Sequence, residues 1–176
     1  GGALITNNAA LAEKIRMIAN HGQQKKYYHK IVGCNSRLDT IQAAILNVKL
    51  PHLGEYLDAR RHAAEYYLGA LGSFSTVILP VSLPSTPNTF NQFTLIIRNG
   101  QRDTLRNFLT QRGIPSMIYY PLPLYRQEAF LRFSAKEFVL PVTEKLCSSV
   151  LSLPIHTEMN EKELEYIAEN LLRFKE

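Results

Sequence analysis

The sequence is poor in cysteine: 176 residues contain only Cys34 and Cys147. Two cysteines cannot build a disulfide framework, nor fill a four-ligand zinc site by themselves. The default setting for such a chain is reducing, and a cytoplasmic location is expected. Long apolar runs are also missing. No stretch of about 18 uncharged apolar residues occurs, which excludes a transmembrane helix. The opening Gly1-Gly-Ala-Leu-Ile-Thr6 has no basic flank, so no signal peptide is expected. It also does not begin with Met and starts within an apolar, strand-like pattern, which points to a piece of a longer chain.

Chemical motifs are equally sparse. There is no Gly-x-Gly-x-x-Gly, no Walker-type loop, no His-Glu-x-x-His and no Gly-x-Ser-x-Gly elbow. The five histidines (His21, His29, His52, His62, His156) show no ligand spacing, so no metal site is expected. Cys34 and Cys147 have no neighbouring histidine signature and read as packing or loop residues. No complete active site is visible.

What is present is the composition of a globular chain, 45% hydrophobic and 20% charged. The net charge of +5 is unevenly spread: residues 1–72 carry +4, 73–133 carry +4 and 134–176 carry −3. This suits a small anionic ligand better than nucleic acid, which calls for a concentrated basic stripe.

Periodicity predicts a buried strand at 2–6 and an amphipathic helix at 9–20, capped by Asn7 or Asn8 and closed by Gly22. Residues 23–34 read as a basic aromatic loop. A helix is expected to start near Arg37 and to continue through 52–71 after a kink at Pro51. Residues 72–91 read as irregular. Strand 93–98, a helix ending at Gly113 and strand 114–120 make a strand–helix–strand unit of α/β type. A proline-rich loop follows, then a helix at 142–149, a strand at 151–154 and an acidic helix at 160–174.

The most informative block is Gly33-Cys-Asn-Ser-Arg-Leu-Asp39. Asn35-Ser36 before a helix start would present free N–H groups and a positive dipole end to an anion, with Arg37 adding a permanently charged fork. An ordinary N-cap beside a solvated arginine fits the same residues.

Gly1-Gly-Ala-Leu-Ile-Thr-Asn7, Leu11-Ala-Glu-Lys-Ile-Arg16, Asn20-His-Gly22, Gly33-Cys-Asn-Ser-Arg-Leu-Asp39 and Gln42-Ala-Ala-Ile-Leu46 occur in order. Arg112-Gly-Ile-Pro115, Tyr119-Tyr-Pro-Leu-Pro-Leu124, Leu140-Pro-Val142 and Leu151-Ser-Leu-Pro154 follow. The ordered set resembles the DegT/StrS-type sugar aminotransferases, pyridoxal-phosphate enzymes of aspartate-aminotransferase fold type I, over nearly the whole chain. The resemblance implies an α/β fold with the end of a large cofactor-binding domain at 1–50 and a small C-terminal α/β domain at 51–176. It implies a Schiff-base lysine before Gly1, so that this chain alone is inactive. It assigns Asn35 to the cofactor phosphate across a homodimer interface, with Arg37 beside it contacting phosphate or substrate. The implied reaction moves an amino group, from glutamate or a similar donor, to a keto-sugar nucleotide. Lys14, Lys25, Lys26 and Lys49 read as solvated, not as a displaced catalytic lysine.

Candidate substrate contacts are Tyr119, Tyr120, Tyr125 and His156. For Tyr119 and Tyr120, strand packing competes with a substrate role, since alternation turns one of the two outward. Tyr125, in the proline-rich loop, reads as a mobile substrate-facing group. His156 follows Leu-Pro at a strand end, within reach of a ligand, but the surface or locally bonded reading is the favoured one. The loop Lys25–Lys30 holds a diphosphate or is simply solvated. Cys34, Asn91-Gln92-Phe93, Tyr119-Tyr120 and Tyr125 depart from the family pattern at positions where the resemblance places substrate reading. A sugar dehydratase of the same family and a non-catalytic ligand-binding module are the alternatives. The strand at 2–6 and the helix at Leu11–Ala19 are expected to expose an apolar face, to cover it by self-association, or to be disordered.

Overall fold

A computed structural model describes residues 2–83, 85–131 and 139–174. The chain forms two compact units, Gly1–Leu53 and Gly54–Glu176.

In the first unit, α1 spans Ala9–Ala19, and the Asn8 side chain accepts from Leu11 N at its start. The expected strand at 2–6 does not form, because no ladder partner pairs with it among the described residues. An apolar run is a necessary signal for a buried strand and not a sufficient one. The basic loop is more ordered than expected. It is a hairpin of β1 (Gln23–Lys25) and antiparallel β2 (Tyr28–His29), with Tyr27 at φ 69° in its turn. Helix α2 covers Thr40–Lys49, not a run from Arg37, because Asp39 caps it by accepting from Gln42 N. Neither α1 nor α2 has a buried residue, and Leu4, Ile5, Leu11, Ile18, Ile41 and Ile45 are exposed. Within the single chain these apolar side chains are therefore uncovered.

A short 3-10 turn at Leu50–His52 accommodates Pro51. Helix α3 (Leu53–Leu71) follows. The second unit then contains β3 (Val77–Ile78), β4 (Phe93–Ile97), α4 (Arg102–Thr110), α5 (Glu128–Leu131), α6 (Pro141–Ser149), β5 (Val150–Leu153) and α7 (Glu161–Leu172). Helix α7 starts with a capping box, Asn160 and Glu163 each bonding the other's backbone N–H.

The sheet order is β3–β4–β5, all antiparallel. The expected second strand at 114–120 is reduced to one bridge, Met117 to Ser152, on the far side of β5. That segment and β4 both run antiparallel to β5, so the strand–helix–strand unit is real but split, with β5 inserted. Ile114 and Ser116 still alternate inward, which is why the sequence reads as a strand.

The register pairs Phe93 with Leu153 and Leu95 with Leu151, placing these four on one face. Against them pack Ala63, Ala64, Tyr67 and Leu71 of α3, Leu105 and Leu109 of α4, and Leu164, Ile167, Ala168 and Leu171 of α7. The helical residues recur at i, i+3, i+4 and i+7, so each helix presents a single apolar stripe. At about 25 cal/mol per Å² of apolar surface removed from water, this core is the main source of the unit's stability.

Tyr67 is fully buried with its ring 5.0 Å from that of Phe93, and its hydroxyl donates to Pro154 O at 3.0 Å. Burial raises its phenol pKa well above the ordinary value, with a smaller contribution from the Glu163 carboxylate. The unfolded chain therefore loses the proton first, near pH 10. Folding stability contributed by this group is complete below that pH and falls as pH rises through the alkaline range. Tyr67→Phe should cost about 1 kcal/mol near neutrality by removing one hydrogen bond. It should also flatten the alkaline loss, as read from urea melts at stepped pH.

Candidate functional site

The first unit builds its polar cluster from a chain crossing. Helix α1 ends with the Gly22 N–H on Met17 O at 2.8 Å, His21 and Gly22 both having positive φ. The last carbonyls of a helix have no intrahelical donor. Here the strand-like segment 34–36 supplies two: Cys34 N donates to Ile18 O at 2.8 Å and Ser36 N to Ala19 O at 2.9 Å. His21 N donates in return to Cys34 O at 2.9 Å. The crossing pairs Asn20 with Asn35 as an antiparallel bridge.

Arg37 then folds back over both asparagines. Its Nε donates to Asn35 Oδ1 at 3.1 Å and its Nη1 to Asn20 Oδ1 at 3.0 Å. Both predicted cofactor residues thus come together, but not for the reason the sequence suggests. Asn35 and Ser36 are not the helix cap; Asp39 is. The anion-binding capacity here comes from side-chain donors, not from the α2 N-terminus. Arg37 Nη2 and Asn35 Nδ2 have no partner among the described residues. A fixed guanidinium with a spare nitrogen beside a spare carboxamide N–H is a donor set suited to phosphate. A groove of about 630 Å³ runs beside it, lined by Ala3, Ile15, Ala19, Ser36, Arg37 and Gln42 among others. Sequence reasoning missed Asn20. It lies in the Asn20-His-Gly22 block, but nothing in that block shows that its carbonyl orients Arg37.

On the basic hairpin the Lys25 and Lys26 ammonium groups lie 5.9 Å from the Tyr28 ring centre and 5.1 Å from that of Tyr27. His29 Nδ1 lies 2.8 Å from His21 O.

In the second unit, a cavity of about 280 Å³ lies beside β5, lined by Asn91, Gln92, Ser116, Tyr119, Ser152 and His156 together with Leu153–Ile155. It brings together two of the four predicted substrate residues, Tyr119 and His156. Tyr120 does not line it. The rings of Tyr119 and Tyr120 meet edge-to-face at 5.9 Å across a cis peptide bond, with Tyr119 37% and Tyr120 71% exposed. Strict strand alternation fails here because pairing to β5 ends at Met117.

Tyr125 does not line this cavity and is engaged with α6 instead. Its hydroxyl donates to Glu144 Oε1 on α6 and accepts from Leu140 N at 3.5 Å. Arg126 Nη2 lies 2.6 Å from the same Glu144 oxygen, and that carboxylate raises the Arg126 pKa. The pair fastens the proline-rich segment to α6.

His156 Nδ1 lies 3.2 Å from Glu158 N and 3.4 Å from Glu158 Oε2, so this nitrogen is engaged locally and Nε2 is the one left for a ligand. The neighbouring Glu158 carboxyl is held below its ordinary pKa, chiefly by the Thr157 hydroxyl and less by His156. Among the residues lining this cavity none carries a permanent charge. Carboxamides, hydroxyls and one imidazole suit a neutral, hydroxyl-bearing part of a ligand. Ser116 Oγ is buried without a hydrogen-bond partner. Asn91 and Gln92 were visible in the sequence only as departures from a pattern, and Ser116 carried no signal at all.

Among the described residues no group of three potential metal ligands occurs, and no helix is long and apolar enough to cross a membrane.

The sequence profile of the DegT/DnrJ/EryC1/StrS aminotransferase family matches residues 1–172. A "pleiotropic regulatory protein" of Geobacillus stearothermophilus is 44% identical over 99% of this chain and 47% of its own length. The dTDP-3-amino-3,4,6-trideoxy-alpha-D-glucose transaminase of Streptomyces venezuelae is 40% identical over 88% of this chain and 40% of its own length. The crystal structure of a DegT DnrJ EryC1 StrS aminotransferase from Brucella abortus superposes with a TM-score of 0.83. It is 37% identical and covers 96% of this chain and 44% of that one. The chain spans a little under half the length of these relatives.

Proposed function

The chain belongs to the DegT/DnrJ/EryC1/StrS aminotransferase family, and on that premise we propose that the protein containing it transfers an amino group, from glutamate or a similar donor, to a keto-sugar nucleotide. The family is pyridoxal-phosphate dependent. The observation that carries the reading is the Asn20–Asn35–Arg37 cluster, whose unused donors match the phosphate of that cofactor. Asn35 Nδ2 and Arg37 Nη2 would hold the phosphate. Asn20 Oδ1 would keep the guanidinium from rotating away. When bound, the cofactor supplies the electron sink for amino transfer.

The second unit would read the neutral sugar. Asn91, Gln92, Tyr119 and His156 Nε2 can exchange hydrogen bonds with hydroxyls. Tyr125 serves as a fastening to Glu144, and Tyr120 as a solvent-facing ring. The Schiff-base lysine would come from the rest of the protein, and the phosphate site would be completed by a second copy in a homodimer. A cytoplasmic location fits such biosynthetic chemistry.

The test is to express the full-length protein and titrate it with pyridoxal phosphate. A visible absorption band should form, disappear with amino donor and return with a keto-sugar nucleotide. Absence of a band from the full-length protein overturns the reading.

A further inference from the structure

The cavity beside β5 is held from behind by side chains of α3. Arg60 Nη1 donates to Ile155 O at 3.0 Å and lies 3.4 Å from both Phe90 O and Asn91 O. Arg61 Nε donates to Asn88 O at 3.3 Å. Asn91 and Ile155 both line the cavity, on two stretches far apart in sequence. Arg60 is half-buried and, among the described residues, has no carboxylate partner. Its charge meets the dipoles of these carbonyls. A half-buried guanidinium is costly unless it is hydrogen-bonded, so its position here calls for a reason.

The turn it holds supplies one. Phe90 sits at φ 45°, a left-handed conformation that a bulky aromatic residue rarely adopts. Its N–H is taken by Asn88 Oδ1 at 2.9 Å, and its ring packs 6.1 Å from that of Phe93. Such a backbone persists only where the surroundings over-determine it. The Asn91 and Gln92 side chains leave the chain directly after this residue, so their directions depend on it.

We propose that Arg60 is a positioning residue of this cavity: by tying the Asn91 carbonyl to that of Ile155 it fixes the spacing between Asn91–Gln92 on one wall and His156 on the other. All three carbonyls converge on one nitrogen. An ammonium has three donors on one nitrogen and can replace that convergence, whereas an apolar stem of similar length cannot. The affinity arm of the test rests on the reading that the cavity receives the neutral part of a sugar nucleotide; the geometric arm does not.

The experiment compares wild type, Arg60→Met and Arg60→Lys by NMR of the full 176-residue chain. It follows the side-chain amides of Asn91 and Gln92 and the His156 ring, with UDP-glucose as probe. Arg60→Met should move or broaden those resonances while Leu105 and Leu164 in the core stay in place. It should also weaken probe binding about tenfold, as expected for loss of charged hydrogen bonds that order a wall. Arg60→Lys should restore both. Wild-type resonance positions in Arg60→Met, or failure of lysine to restore them, overturns the proposal. If Arg60→Met does not fold, the lysine variant decides alone by the same resonances. If wild type does not bind UDP-glucose, the substrate reading of the cavity fails while the resonances still decide the role of Arg60.

Discussion

Asn35→Ala in the full-length protein is expected to release the cofactor about 10- to 100-fold more readily than wild type. The estimate follows from removing one hydrogen bond to a charged group, about 1.5–3 kcal/mol. A second loss adds to it. Asn35 Oδ1 accepts from Arg37 Nε at 3.1 Å, so alanine also frees one of the two restraints on the guanidinium. Asn20 Oδ1 remains on Nη1 at 3.0 Å, and the arginine then pivots about a single bond. Asn35→Asp separates the two effects. It keeps an acceptor for Arg37 but replaces the amide donor by a carboxylate that repels phosphate, so it should bind cofactor less well than alanine. Dialysis followed by absorbance measures retention, and far-UV circular dichroism checks that the fold is kept. Cofactor affinity unchanged in Asn35→Ala removes the cluster from the phosphate site.

Whether the sequence could be read depended on how local the determining interactions are. Helices α1 and α7 were legible to within a residue or two, because Asn8 and Asn160 cap within one turn and the apolar stripes repeat every three or four positions. Elements that depend on distant partners were not. The run at 2–6 has the composition of a strand and no ladder. Val77–Ile78, hidden in a stretch that reads as irregular, becomes a strand because Ile96 and Ile97 pair with it. The segment 114–120 keeps its alternation but bonds β5 at one residue.

The same division runs through the site. Residue type pointed to Asn35 and Arg37, but the reason offered, a helix N-terminus, was displaced by Asp39 four positions on. What brings the two together is a crossing between residues 18–22 and 31–36, a tertiary fact that spacing does not encode. Tyr119 and His156 converge through β5 and the split unit, whereas Tyr125 is captured by Glu144 on α6. A proline-rich loop predicts exposure and mobility, but it does not reveal that a carboxylate 19 residues away takes the hydroxyl.

That crossing makes a single added methyl group at Gly33 costly. At Gly33 an added Cβ would lie 2.2 Å from Gly22 N, 2.5 Å from Ile18 O and 2.8 Å from His21 C. All three are backbone atoms belonging to the end of α1, and none can swing aside as a side chain would. Relief requires the two segments to part. Parting breaks the bonds from Cys34 N to Ile18 O and from Ser36 N to Ala19 O, and with them the alignment of Asn35 against Asn20. Gly33→Ala should therefore cost more than about 3 kcal/mol locally, in the range reserved for backbone strain with loss of a bonded network. It should also abolish cofactor retention more completely than Asn35→Ala, because Arg37 is displaced with Asn35. The opposite sign is expected in α3. A Cβ at Gly54 or Gly69 meets nothing within 4 Å, and both lie within the helix. Alanine there should stabilise by about 0.5–1 kcal/mol through reduced freedom of the unfolded chain. Thermal melts and cofactor retention on the three variants check the contrast. Gly33→Ala with wild-type retention would mean that the crossing does not hold Asn35 and Arg37 in register. Loss of retention in Gly69→Ala would mean that retention responds to stability in general and not to this geometry.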